Sequence, residues 1–96
     1  MDGIEITCDP SKDAINQEKH GLSLKDAVGL DWDNALFWND IRHDYGEPRQ
    51  VALAVLGQRV HTVVFVERPE GRRIISLRRA NLKEVMRYVE AVTEKR

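Results

Sequence analysis

Arginine, glutamate and histidine recur in the second half of this chain in a pattern suited to phosphate chemistry. Arg72-Arg73-Ile74-Ile75-Ser76-Leu77-Arg78-Arg79-Ala80 reads as a β-strand with two isoleucines at its centre and guanidinium groups at both ends. A guanidinium presents a rigid fork of donors that matches phosphate oxygens. Glu67, His61 and Tyr88 can carry protons, and Phe65 offers a ring on which a nucleobase could stack. Together these groups could cleave RNA without a metal if the ribose 2′-hydroxyl is the nucleophile. Glu67 or His61 would take its proton, Arg78 with Arg49 or Arg73 would stabilise the charge growing on phosphorus, and His20 or Tyr88 would serve the leaving oxygen.

The elements that must position these groups are legible in the hydrophobic pattern. Ile4 to Cys8 alternates as a first strand, and Asp9-Pro10 supplies an N-cap and a proline at the first helical position. The helix runs to about His20 and stops at Gly21, suited to a left-handed C-terminal cap. Ser23 and Asp26 form a capping box for a second short helix with Leu24, Ala27 and Val28 on its apolar side. Period-two segments follow near 35–42, 49–56, 60–67 and 72–79, separated by turns at Gly57-Gln58 and Pro69-Glu70-Gly71. Asn81 and Glu84 then cap a last helix whose Leu82, Val85, Met86, Val89 and Val92 are expected to pack on the sheet. The expected fold class is α+β, an antiparallel sheet with two short N-terminal helices and a C-terminal helix, in one domain over residues 1–96.

Pairing the strands assigns the faces. A two-residue turn at Gly57-Gln58 sets Val55 opposite Val60, Leu53 opposite Thr62, Val51 opposite Val64 and Arg49 opposite Val66, which reads as the core face. Setting Arg68 opposite Arg73 places Glu67, Ser76, Arg78, His61 and Gln50 with Phe65 on the other face. A slip of one residue would invert that grouping. The competing reading of the second face is a half-solvated surface without chemistry.

Composition bounds the partners. The net charge is −1, yet residues 1–48 carry four Lys/Arg against eleven Asp/Glu while residues 49–96 carry eleven against five. That polarity favours an anionic partner on one side of the molecule, with segregated surface charge as the alternative. Lys12, Lys19, His20, His61, Phe65 and Arg79 are the candidate RNA contacts. Lys12 and Lys19 also fit an ordinary solvated helix face, and His20 fits a cation at a helix C-terminus. His20, His43 and His61 show no metal-ligand spacing, and no Gly-rich phosphate loop or cofactor motif is present, so neither a metal nor a cofactor is expected. Cys8 is the one cysteine and reads as a small packed residue. The absence of a long apolar run or a signal-like start predicts a cytoplasmic protein with no membrane contact. Trp32 and Trp38, in the acidic stretch before the sheet, read as core or partner-contact residues.

Cys8-Asp9-Pro10-Ser11-Lys12, Asn16, Lys19-His20-Gly21 and Ala27 resemble the opening of the BrnT toxins of bacterial type II toxin-antitoxin systems. Asp44-Tyr45-Gly46-Glu47 with Arg49, then Val63 to Arg68, then Arg73-Ile74-Ile75-Ser76 with Arg78 and Ala80, and finally Glu84 with Tyr88 follow that family's pattern in order. The chain departs from it at Cys8, where the family usually has tryptophan, and in a longer stretch from Asp31 to Asp40. The resemblance implies a RelE-like fold and a ribonuclease that arrests translation. It also implies a BrnA-like antitoxin of ribbon-helix-helix type that holds the toxin in a 2:2 assembly and alone contacts operator DNA. It points to Arg49, Glu67, Arg73, Arg78 and Tyr88 as the catalytic set. The alternative is an inert binding partner whose arginines receive an acidic antitoxin segment and which acts as a co-repressor.

Overall fold

The computed structural model describes residues 5–41 and 46–94. Its elements are β1 (Ile6–Cys8), α1 (Pro10–His20), two 3-10 helices (Leu24–Gly29 and Trp32–Asn34), β2 (Leu36–Asp40), β3 (Arg49–Leu56), β4 (Arg59–Arg68), β5 (Gly71–Arg79) and α2 (Leu82–Glu94). The five strands form one sheet in the order β1-β5-β4-β3-β2. The class is α+β, as expected, but the sheet is mixed: β1 runs parallel to β5, with Ile6 opposite Arg72 and Cys8 opposite Ile74. Alternation within a single strand carries no information on direction, so an all-antiparallel sheet was the simpler expectation. Ile4, at the start of the expected first strand, and Arg42, at the end of the expected second, lie outside the described residues.

Local chemistry accounts for the N-terminal helices. The Asp9 side chain accepts from the Ser11 N–H, Pro10 opens α1, and Gly21 at φ 70° closes it with its N–H on the Gln17 carbonyl. Ser23 and Asp26 make the expected capping box, but the helix that follows is a 3-10 helix. Residues three apart eclipse in that geometry, so Leu24 and Ala27 both point inward, each with no exposed surface, while Val28 points to solvent. Cys8 packs at the edge of the same core, and burial, helped by Asp13, pushes its thiol pKa up, which keeps it protonated.

The hairpin register Leu53–Thr62 and Val51–Val64 is as expected, turning at Gly57 with φ 66°. The face expected to be the core is packed, with Val51, Leu53, Thr62 and Val66 buried, but the face expected to be open carries the larger core. Ala52, Ala54, Val63, Phe65, Ile74 and Leu77 form the main core with Leu24, Ala27, Leu30, Trp32 and Ala35, all contributed from one side of the sheet. Val51, Leu53, Thr62 and Val64 face the opposite side, which α2 crosses over only part of its length. The alanines at 52 and 54 concealed this: they leave room for Phe65 and Trp32 to fill the core from neighbouring elements.

The β4–β5 ladder is not regular. Val66 pairs with Arg73 and Phe65 with Ile74, but Val64 pairs with Ser76, leaving Ile75 as an extra residue at a β-bulge. The expected pairing of Arg68 with Arg73 is therefore replaced by Arg68 with Gly71, and beyond the bulge Arg78 lies opposite Thr62. A tight turn at Pro69-Glu70 sets the Arg68–Gly71 pair and starts the strand one residue earlier than expected.

α2 also differs from expectation. Val85, Tyr88 and Val92 turn toward the sheet, whereas Leu82, Met86 and Val89 form an exposed apolar stripe, so Met86 is not a core residue. The capping box of Asn81 and Glu84 is present, and Glu84 is drawn inward by it.

Where the short β1 stops, β5 needs another partner. The buried side chain of Asn16 on α1 supplies it, donating to the Leu77 and Leu22 carbonyls at 2.8 Å each and accepting from the Leu77 N–H at 3.1 Å. The amide therefore extends the ladder by one peptide. Asp13 acts alongside it, accepting from the Leu24 N–H and the Ser23 hydroxyl, and the Leu24 bond in particular holds its pKa down. Replacing Asn16 by Ala leaves buried backbone groups unpaired and is expected to destabilise the protein by at least about 2 kcal/mol. Urea unfolding followed by far-UV circular dichroism checks this, and an unchanged midpoint would refute the bridging role.

Candidate functional site

The bulge decides which arginines share a face. Arg73 and Arg78 are five positions apart, an odd step, so a regular strand would point them to opposite sides. With Ile75 inserted, Arg73 lies beside Val66 and Arg78 beside Thr62, both on the face that α2 crosses. Arg49 joins them, paired with Asp40 at the end of β3, and Arg68 follows on β4. All four are half-buried. Arg68 is held by Glu47 at 2.9 Å. Four arginines of the basic half thus share one face from three adjacent strands, while Arg72 and Arg79 emerge on the other.

Between this face and the start of α2 lies a cleft of about 430 Å³ lined by Trp38, Asn39, Asp40, Ile41, Val51, Thr62, Val64, Ser76, Arg78 and Glu84. Arg78 grips Glu84 with both terminal nitrogens at 2.9 Å. Glu84 also accepts from the Thr62 hydroxyl at 3.0 Å and from the Asn81 N–H at 2.9 Å. The Arg78 guanidinium is the chief reason its carboxyl pKa is held at about 2, against burial, which acts in the opposite direction. Such a carboxylate is a poor base but a firm strut for Arg78. Trp38 lies across the cleft, with the Arg87 guanidinium 4.2 Å from its ring centroid.

Several expected site residues are elsewhere. Phe65 is fully buried, its ring edge-on to Trp32 and Phe37, so it presents no surface for a base. Glu67 lies on the core face and holds Arg72 at 2.9 Å. Arg72 in turn sits 4.5 Å from the Trp32 ring centroid and 5.0 Å from that of Phe65, closing the edge of the core. His61 is buried with its Nδ1 2.9 Å from the Arg59 carbonyl, and with Arg79 it lines a separate groove beside Gly57 on the core face. The expected group of Glu67, Ser76, Arg78, His61, Gln50 and Phe65 is therefore split by the sheet: Ser76 and Arg78 lie on one side, the rest on the other. Lys12, Lys19 and His20 are exposed on α1, which packs along β5 and the first 3-10 helix, and none of them lines the cleft. Tyr88 is buried under α2, and burial, reinforced by Asp31, pushes its phenol pKa up.

Glu84, Asp40, Thr62 and Trp38 went unrecognised in the sequence. Glu84 was legible as a helix cap, and its second task as the partner of Arg78 depends on how the turn after β5 carries α2 back over β3 and β4. Asp40 could have been found by pairing the 35–42 segment with 49–56, which sets it opposite Arg49. His43, Asp44 and Tyr45 lie outside the described residues. Among the described residues no three His, Cys, Asp or Glu side chains are grouped so as to hold a metal ion, and no helix is long and apolar enough to cross a membrane.

A small α+β fold with half-buried arginines on one face, Arg78 among them lining a cleft, is of a class suited to holding a phosphate backbone. Residues 8–84 match the family described as the ribonuclease toxin, BrnT, of type II toxin-antitoxin systems, so the chain belongs to the BrnT family. No curated protein matches it. Membership makes it a ribonuclease toxin with an antitoxin as its partner.

The Glu84 carboxyl yields a pH test. Its folded pKa is depressed from 4.5 to about 2, so its contribution to stability is complete above about pH 4.5 and is lost as the pH falls toward 2. Glu84→Gln should cost roughly 1–3 kcal/mol at pH 7 after allowance for screening. The gap between wild type and variant should narrow by pH 3. Urea midpoints at both pH values check this, and a gap independent of pH would remove the ion pair as its cause.

Proposed function

We propose that this protein is a metal-independent endoribonuclease that arrests translation, acting on RNA at the arginine-bearing face between β5 and α2. The observation that carries the reading is the placement of Arg49, Arg73 and Arg78 on one face of the sheet, in a chain of a ribonuclease toxin family. The ribose 2′-hydroxyl, giving up its proton, attacks the adjacent phosphorus, and the P–O5′ bond breaks to give a 2′,3′-cyclic phosphate and a 5′-alcohol whose oxygen takes a proton from water. The arginines stabilise the charge that accumulates on the phosphoryl oxygens; half-burial strengthens that effect. Of the two carboxylates lining the cleft, Glu84 is committed to Arg78, Thr62 and Asn81. Asp40, the other carboxylate lining the cleft, is assigned the 2′-hydroxyl proton for its position there. Glu67, His61 and Phe65 lie on the other side of the sheet and have no part in this chemistry, and Tyr88 serves to seat α2. The neutralising partner is a BrnA-like ribbon-helix-helix antitoxin in a 2:2 assembly, through which alone the toxin reaches operator DNA.

The test is induced expression of wild type, Arg73→Ala and Arg78→Lys in bacteria, with growth followed and new RNA 5′ ends mapped. Arg78→Lys keeps a cation beside Glu84 but loses the fork. Each variant should reduce cleavage on the order of 100-fold or more while remaining folded. Folded wild type that leaves growth and RNA intact would instead establish an inert binding partner.

A further inference from the structure

We propose that Trp38 and the cleft beside it form a nucleobase subsite, taking the base next to the phosphate held by Arg78. The inference rests on the ribonuclease reading and extends it from the phosphate to the base. Expectation had assigned base stacking to Phe65, which has no exposed surface. Trp38 is the aromatic residue that lines the arginine cleft, and it is half-buried. Arg87 covers part of the ring from α2 at 4.2 Å, which limits the freedom of the indole before any ligand arrives. The cleft walls combine Val51, Val64 and Ile41 with the polar Asp40, Thr62 and Ser76. Apolar walls with a few polar groups are what a planar heterocycle with hydrogen-bonding edges requires. Ile41 is 88% exposed and lies at the cleft mouth, where a bound base would cover it. Trp32 has no such role: it is buried, and its Nε1–H is bound to the Ala27 carbonyl at 3.0 Å.

The two tryptophans make the test direct. The probe is a fully 2′-O-methylated RNA oligonucleotide, which lacks the attacking hydroxyl and cannot be cleaved. Added to ¹⁵N-labelled protein, it should shift the Trp38 indole N–H signal and leave that of Trp32 in place. With cleavable RNA, Trp38→Ala should raise KM roughly tenfold with kcat largely retained, and Trp38→Phe should recover most of the loss. An unmoved Trp38 signal at oligonucleotide concentrations that saturate binding, with KM unchanged in Trp38→Ala, would overturn the subsite while cleavage by wild type upheld the nuclease reading. A shifted Trp38 signal in a protein that cleaves nothing would uphold base binding and sink the nuclease reading alone.

Discussion

One extra residue in β5 sets the character of the functional face. Side chains alternate across a strand, so Arg73 and Arg78 would be divided by the sheet were the ladder regular. The bulge at Ile75 adds a half-step, and both guanidinium groups then face the side that carries Arg49 and Arg68. The same half-step keeps Ile74 and Leu77 together in the core, although they too are an odd step, three positions, apart. A single irregularity therefore serves packing on one side and charge on the other, which is why neither can be altered without the other.

The second constraint is the tie between Arg78 and Glu84. It joins the sheet to the first turn of α2, and the same carboxylate caps that helix through Asn81. Crowding guanidinium groups on one face costs energy through mutual repulsion and desolvation, and the pairings with Glu84 and Glu47 offset part of that cost. Arg78 is thereby held in one orientation ahead of any ligand. Electrostatic stabilisation benefits from such preorganisation because no reorientation is required when the charge develops.

On the other face, Arg72 shows that guanidinium groups in one strand can have unrelated tasks. Its charge is spread over the rings of Trp32, Phe37 and Phe65 and balanced by Glu67, so it closes a core edge. Composition cannot distinguish it from Arg73, its neighbour in the chain. Only the side of the sheet on which each one emerges separates a packing arginine from one available to an anion.

How much was legible in the residues follows from the range of the forces involved. Caps, turns and periodicity act over a few positions, so Asp9, Gly21, Ser23, Gly57 and Asn81 announced their elements, and the β3–β4 register followed from a two-residue turn. The ordered blocks from Cys8 to Glu84 were likewise enough to place the chain in its family. The parallel β1, the bulge, the larger core on the second face and the outward Met86 depend on contacts between distant segments. Strand alternation defines two faces without saying which will be covered; here that choice fell to the 3-10 helices bringing Leu24, Ala27 and Trp32 against Phe65, a long-range packing outcome that no local pattern encodes.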